Sequence, residues 1–213
     1  MIELLVIENS SLFSNIQKEK LGRILSEDIH SKSKTFRYWQ DQQAFICGRY
    51  LLYIGLESIG FPTELIKKLH YSQFGKPYFD QELDFSISHS GKFVILAISK
   101  HCKLGVDIEE IGDVDIECFK NCFNDKEIAK IRNSHNPKLT FYSLWTLKEA
   151  FSKALGFGLS LDLKEIQISS IGIIDYGNTK WFSKKLEIAK EYQASIVCNS
   201  DILNDVTPKY VTI

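Results

Sequence analysis

Helical and strand-like patterns occur twice in succession along this chain, and that order limits the folds open to it. A helical pattern over about residues 34–59 precedes a predicted β-hairpin over 83–99. A predicted strand over 104–111 then leads to a second long helical pattern over 137–155, and another strand is predicted over 191–198. Successive lobes that each combine helices with an antiparallel sheet indicate an α+β fold rather than a doubly wound parallel sheet.

The boundary between the two lobes is predicted near Lys103. Residues 1–103 would form an N-terminal lobe, and residues 104–213 would form a C-terminal lobe that carries a metal site and a docking surface. Further strands are predicted over residues 2–8, 164–168, 180–187 and the tail 206–213.

The charge composition restricts the kinds of partner. Lys and Arg number 26 against 27 Asp and Glu, and the net charge of -1 provides no overall field for nucleic acid or anionic lipid. No segment reaches the ~20 apolar residues of a membrane span. The five scattered cysteines contain no C-x-x-C pair and fit a reducing compartment. We therefore expect a cytoplasmic protein with neither nucleic acid nor membrane as partner, whose anionic ligands are held by local clusters.

Two carboxylates lie in the predicted strand 105–109, whose sequence is Gly-Val-Asp-Ile-Glu. Successive side chains of a strand point to opposite faces, so Asp107 and Glu109 should project together. Their repulsion must be offset by water or a cation, and carboxylate oxygens are ligands that suit Mg²⁺. The pattern by itself fits both a solvated strand edge and one side of a metal site.

A second candidate pair lies on the helical pattern over 137–155. An apolar stripe leaves Glu149 and Lys153 one turn apart on the more polar side. A Glu–Lys pair at this spacing is ordinarily a solvated ion pair that contributes about 0.2–0.5 kcal/mol. The spacing alone therefore fits a surface pair as well as a site.

The hairpin and the turn before it supply further polar groups. His89 and the backbone amides of the following turn can hold phosphate oxygens, although a histidine at a strand end also fits a structural role. Lys76, between Gly75 and Pro77, fits a simple turn lysine equally well. Together these segments supply three carboxylates, two lysines and a histidine, which is the inventory for holding a metal-bound pyrophosphate.

The order of the motifs resembles one family. They read Gly-Lys-Pro at 75–77, Phe-Ser-Ile-Ser-His-Ser-Gly at 85–91, Gly-Val-Asp-Ile-Glu at 105–109, Phe-Asn-Asp-Lys-Glu at 123–127 and Trp-Thr-Leu-Lys-Glu-Ala-Phe-Ser-Lys at 145–153. In this order they closely resemble the surfactin-type (Sfp-type) 4′-phosphopantetheinyl transferases over about residues 30–170. The last two motifs, at their separation, are the most specific.

The resemblance implies a pseudo-dimer of two similar lobes with the site between them. It also implies transfer of the 4′-phosphopantetheine group from coenzyme A to a serine of an acyl or peptidyl carrier protein, which releases adenosine 3′,5′-bisphosphate. Because one chain carries both halves of the site, we expect a monomer.

By the same resemblance, Asp107, Glu109 and Glu149 would bind Mg²⁺. Lys153 would neutralise the charge that builds on the leaving group, and Glu149 is our candidate for the base that takes the serine proton. Glu127 is a weaker candidate, because Asn124 and Glu127 have the form of a helix capping box, which explains Glu127 without catalysis.

The residues that would contact coenzyme A come mostly from the first lobe. The resemblance implies phosphate contacts from Ser88, His89 and Lys153, a nucleotide contact from Lys76, and a 3′-phosphate contact from Lys32. One departure from the family lies over 41–45, where Asp-Gln-Gln-Ala-Phe lacks an arginine that relatives often have. The residues that would compensate for it are Lys34, Arg37 or Arg49.

We expect the carrier protein to dock on residues 112–130, beside the metal. Phe119 and Phe123 lie one turn apart there, and either can be a docking anchor or part of the core. The nearby basic residues that would face an acidic carrier are Lys120, Lys126 and Lys130.

Two other classes of function fit parts of this inventory. Clustered carboxylates also serve metal-dependent phosphohydrolases and nucleases, although the balanced charge disfavours a nuclease. The second of these classes is an inactive module that binds coenzyme A, which would not explain the pair of Glu149 and Lys153.

Overall fold

A computed structural model describes residues 1–169 and 171–213 of the chain. The α-helices are α1 (Asn15–Ile24), α2 (Glu27–Ser33), α3 (Trp39–Ser58), α4 (Asp125–Arg132) and α5 (Pro137–Leu155). The strands are β1 (Ile2–Glu8), β2 (His70–Tyr71), β3 (Pro77–Tyr78), β4 (Asp84–Ser90), β5 (Phe93–Ser99), β6 (Leu104–Glu110), β7 (Ile173–Tyr176), β8 (Thr179–Leu186), β9 (Tyr192–Cys198) and β10 (Pro208–Tyr210). None of the helices in this described part is long and apolar enough to cross a lipid bilayer.

The strands form two four-stranded sheets and a small hairpin. The first sheet has the order β10-β1-β5-β4, the second has the order β6-β9-β8-β7, and β2 pairs with β3. All pairs are antiparallel except β1 with β10. Helix α3 packs on the first sheet, and α5 packs on the second. The predicted α+β class is confirmed.

The C-terminal strand joins the sheet of the first lobe. β10 runs parallel to β1, with Leu4 opposite Pro208 and Val6 opposite Tyr210. The sequence predicts a strand in the tail, but a three-residue strand shows no pattern that identifies its partner. The parallel pairing of β10 with β1 could therefore not be predicted. The division of the chain into lobes between residues 103 and 104 stays a proposal. Strand β10 follows this boundary in sequence but pairs with β1, which precedes it.

Two local predictions were wrong, and one strand was missed. The helix predicted from residue 34 begins at Trp39 and is preceded by the separate helix α2. The strand predicted over 164–168 contains a 3-10 turn at Leu163–Glu165. Strand β7, which sequence reasoning missed, forms a hairpin with β8, and Gly177 has a φ of 59° in its turn.

The edge of the second sheet is held against the first sheet by side chains. Serine hydroxyl oxygens of β4 accept hydrogen bonds from backbone N–H groups of β6. The bonds run from the Val106 N–H to Ser86 at 3.1 Å, from the Ile108 N–H to Ser88 at 3.4 Å and from the Glu110 N–H to Ser90 at 3.0 Å. The Asp84 carboxylate accepts the N–H of Leu104 at 2.9 Å in the same register. We call these four bonds the β4–β6 ladder. They occupy donors of β6 that face away from β9. All of these donors except that of the exposed Glu110 would otherwise be buried without partners.

Gly105 permits helix α5 to lie directly on β6. A Cβ added at Gly105 would approach the Ala154 nitrogen to 2.5 Å and would overlap the Ala150 carbonyl oxygen. Because both obstacles are backbone atoms of a packed helix, no side-chain movement can relieve the contact. A residue larger than glycine would push α5 away from β6.

We expect Gly105→Ala to lower the free energy of unfolding by about 1–3 kcal/mol through overpacking. Chemical denaturation monitored by circular dichroism measures the effect. Gly22→Ala is the matched control, because the added Cβ would have no atom within 4 Å in helix α1 and should stabilise the chain slightly. Equal stability of Gly105→Ala and wild type would contradict the close contact.

Candidate active site

Asp107 lies at the junction of the two lobes, held by groups from both. Its Oδ1 accepts a bond from the Ser88 hydroxyl at 2.7 Å and from the Lys153 ammonium at 2.6 Å. Lys153 also donates to the Ser88 oxygen at 2.9 Å. The carboxylate is buried, and this triangle joins β4, β6 and α5. The prediction that Ser88, Asp107 and Lys153 share a site is thus consistent with their contacts.

Glu109 and Glu149 lie beside Asp107. Burial, followed by the charge of Asp107, raises the pKa of both carboxyl groups. The Ser90 hydroxyl donates to Glu109 at 2.9 Å, and the Trp145 side chain also bonds it and opposes the rise. Three carboxylates therefore influence one another across β6 and α5. The alternation of β6 predicted that Asp107 and Glu109 project together, and the family resemblance implied that Glu149 joins them.

Two oxygens of this cluster have the chemistry of cation ligands. Asp107 Oδ2 and Glu149 Oε1 are buried and have no hydrogen-bond partner. A buried carboxylate oxygen without a partner is unfavourable unless a cation or water completes it. Among the described residues, however, no three Asp, Glu, His or Cys side chains are already arranged as metal ligands. The donor set fits a hard cation such as Mg²⁺, but the present side-chain positions do not form a closed cage.

A cleft of about 320 Å³ opens from this cluster along the first lobe. Its walls include His89, Lys153 and Lys76. Burial against the cleft wall, followed by the charge of Lys153, lowers the pKa of His89, so the imidazole is neutral at pH 7. Lys76 is fixed at the base of the β4–β6 ladder by an ion pair with Asp84 at 2.9 Å, and burial lowers its pKa.

A second cationic group includes Arg49, which lies on the wall of the cleft. Lys32 and Arg49 both donate to the Tyr71 hydroxyl, at 3.3 and 3.0 Å, and both lie over the ring of Phe45. Arg49 is buried, and its pKa is lowered by burial, whereas Lys32 is exposed. Of the three residues proposed to compensate for the missing arginine, Arg49 is thus the one that shares partners with Lys32.

Glu127 belongs to a buried ion pair that sequence reasoning missed. Its carboxylate accepts the Asn124 N–H at 2.9 Å, which completes the predicted capping box, and it also pairs with Lys148 at 2.8 Å. Lys148 is fully buried and donates to the Leu163 carbonyl at 2.6 Å. Burial lowers the Lys148 pKa, and the hydrogen bond to Glu127 opposes that shift. The pair ties α4 to α5 next to Glu149.

The two phenylalanines proposed as docking anchors have different environments. Phe123 is 1% exposed and packs in a core cluster with Phe141, so of its two predicted alternatives it is part of the core and not a docking anchor. Phe119 is half-buried, with its ring 5.1 Å from that of Trp145. The three lysines of the segment, Lys120, Lys126 and Lys130, are exposed, and docking on this surface stays a prediction.

A larger cavity, of about 600 Å³, lies beside α4. Its walls include Lys126, Lys130 and Lys164 but none of the residues predicted to bind metal or coenzyme A. Size alone therefore does not identify the site, and the smaller cleft contains the convergent polar groups.

Several known proteins are similar in sequence to this chain. A family model described as the 4′-phosphopantetheinyl transferase superfamily matches residues 103–198, which include β6 and α5. The 4′-phosphopantetheinyl transferase gsp of Aneurinibacillus migulanus is 30% identical over 175 residues, covering 79% of this chain and 71% of that protein. The 4′-phosphopantetheinyl transferase Sfp of Bacillus subtilis is 26% identical, covering 91% of each chain.

Among solved structures, a holo-acyl-carrier-protein synthase of Thermotoga maritima overlaps 45% of this chain and 61% of that chain, with 20% identity and a TM-score of 0.38. The assignment rests on the sequence relatives and not on that partial overlap. Together with the α+β fold and the carboxylate cluster between its sheets, these relatives show that the chain belongs to the 4′-phosphopantetheinyl transferase superfamily.

We expect Lys148→Met to lower the free energy of unfolding by about 3–5 kcal/mol, because it leaves the Glu127 carboxylate without its buried partner. Equilibrium denaturation measures the change. The double variant Glu127→Gln with Lys148→Met should recover much of the loss, since Gln keeps the capping box and carries no charge. A double variant less stable than Lys148→Met alone would count against a buried ion pair.

Proposed function

We propose that this chain transfers the 4′-phosphopantetheine group of coenzyme A to a serine hydroxyl of an acyl or peptidyl carrier protein. The serine oxygen forms a bond to the phosphorus that bears the pantetheine arm, and the bond from that phosphorus to the bridging oxygen breaks. Adenosine 3′,5′-bisphosphate leaves. The observation that carries the proposal is the pair of unpartnered buried oxygens on Asp107 and Glu149, beside Lys153, whose side chain lines a cleft that Arg49 also lines.

Asp107, Glu109 and Glu149 would hold the magnesium ion. The two unpartnered oxygens and the raised pKa values of Glu109 and Glu149 support this role, because burial and the charge of Asp107 disfavour the ionised carboxylates and a bound cation offsets both effects. When bound, Mg²⁺ supplies charge neutralisation to the pyrophosphate.

The protein groups around it position and neutralise the reactants. Lys153 stabilises the negative charge on the leaving phosphate, and the neutral His89 donates a hydrogen bond to a phosphate oxygen. Glu149 takes the proton of the serine hydroxyl. Ser88 is already bonded to Asp107 and Lys153, so we propose that it mainly orients those groups.

The nucleotide would lie along the cleft. Lys32 and Arg49 form a cationic pair suited to the 3′-phosphate, with the Tyr71 hydroxyl between them. Lys76 contributes positive charge further along the wall, although its ion pair with Asp84 partly neutralises it.

The site takes groups from β4, β6 and α5 of one chain, which supports action as a monomer. All five cysteines are free thiols, which supports a reducing compartment such as the cytoplasm.

Incubation with coenzyme A, Mg²⁺ and an apo carrier protein, followed by intact mass measurement of the carrier, tests the function directly. Transfer adds the phosphopantetheine mass to the carrier. A phosphohydrolase would cleave coenzyme A and leave the carrier unmodified, and a binding module would leave both unchanged. Either of these outcomes would contradict the proposal.

We expect Asp107→Asn and Glu149→Gln each to lower the rate of transfer by about a hundredfold or more, because each removes a charged group from the reacting centre. Rates of holo-carrier formation measure the loss, and circular dichroism checks the fold. Glu110→Gln is the matched control, since Glu110 lies next to Glu109 on β6 but is exposed and interacts with Tyr192. Near-normal transfer in both site variants would exclude these roles.

We expect Lys32→Ala to raise the KM for coenzyme A by about tenfold, which corresponds to loss of one charge-assisted hydrogen bond. The KM for dephospho-coenzyme A, which lacks the 3′-phosphate, should stay nearly unchanged. Lys18→Ala, which removes an exposed lysine of helix α1, is the control. A similar rise for both substrates would mean that Lys32 does not recognise the 3′-phosphate.

A further inference from the structure

In the free protein, Lys153 occupies an oxygen that a metal ion would need. The ammonium lies 2.6 Å from Asp107 Oδ1, and Ser88 donates to the same oxygen at 2.7 Å. The Asp107 side chain is 4% exposed, whereas that of Lys153 is 28% exposed. The carboxylate is therefore fixed in place, while the lysine has a route toward the cleft.

The contact between Lys153 and Asp107 leaves other carboxylate oxygens of the cluster without a hydrogen-bond partner. Asp107 Oδ2 and Glu149 Oε1 stay without partners, so one lysine does not satisfy the three carboxylates. In the described part of the chain no three ligand side chains are set around a common point. A divalent cation on Asp107 would also lie close to the ammonium, and two positive charges a few ångström apart in a partly buried site repel strongly.

We propose that Lys153 is the internal counter-ion of the free enzyme and competes with the divalent metal for Asp107. The inference rests on the proposed function. A pyrophosphate entering the cleft offers the ammonium a partner of greater charge, and movement of Lys153 to it releases Asp107 Oδ1. Metal and coenzyme A therefore bind together, and the free enzyme binds metal weakly.

Binding of Mn²⁺, measured by electron paramagnetic resonance, tests this without any turnover. Wild-type protein alone should bind Mn²⁺ weakly, and coenzyme A should strengthen the binding. Lys153→Met should bind Mn²⁺ about tenfold or more tightly without coenzyme A, because the competing charge beside Asp107 is gone. Lys153→Gln, which retains a hydrogen-bond donor for Asp107, should behave in the same way and covers the case in which the methionine variant does not fold.

Two controls separate this contact from a general loss of positive charge. Lys164→Met removes an exposed lysine beside the larger cavity and should leave Mn²⁺ binding as in wild type. Adding Asp107→Asn to Lys153→Gln should abolish the gain, because the gain depends on that carboxylate.

Mn²⁺ binding to both Lys153 variants that is no tighter than wild type would overturn the inference, as would equal affinity of the wild type with and without coenzyme A. Carrier modification by the wild type in the same experiment would leave the proposed function standing. An unmodified carrier would count against the function itself.

Discussion

The β4–β6 ladder is the interaction on which the rest of the structure depends. Side-chain oxygens of β4 at alternate positions, from Asp84 to Ser90, accept the N–H groups of β6 that point away from β9. A typical hydrogen bond contributes about 0.5–1.5 kcal/mol, but a buried N–H left unpaired costs more than that. The ladder therefore fixes the register between two sheets that share no backbone pairing at this junction, and the cleft takes its shape from that register.

The close contact at Gly105 adds the third element of the site. With the Ala150 and Ala154 backbone against β6, helix α5 is near enough for Glu149 and Lys153 to meet Asp107. A wider spacing would separate the lysine from the carboxylate. The glycine in Gly-Val-Asp-Ile-Glu and the small residues of α5 thus explain why two motifs far apart in sequence form one cluster.

Periodicity predicted the parts of this arrangement that one element determines alone. Asp107 and Glu109 share a face of β6, and Asn124 with Glu127 caps α4, as their spacing indicates. The Lys148–Glu127 pair was missed because each charge alone resembles a solvated helix residue, and only packing shows that Lys148 is fully buried. The partners of the β4 serines, and of β10, depend on how distant segments dock, so spacing within the sequence could not supply them.

Ser88 links the docking of the lobes to the electrostatics of the site. Its oxygen accepts the Ile108 N–H of the ladder, and its hydroxyl proton goes to Asp107 Oδ1, beside Lys153. A shift between the sheets would therefore also turn the Asp107 carboxylate and change its distance to the ammonium. Because the charge of Asp107 contributes to the raised pKa values of Glu109 and Glu149, movement of the Asp107 carboxylate would also change those two pKa values. The Ser88 hydroxyl therefore takes part both in the bonds that join the two sheets and in the contacts of the carboxylate cluster.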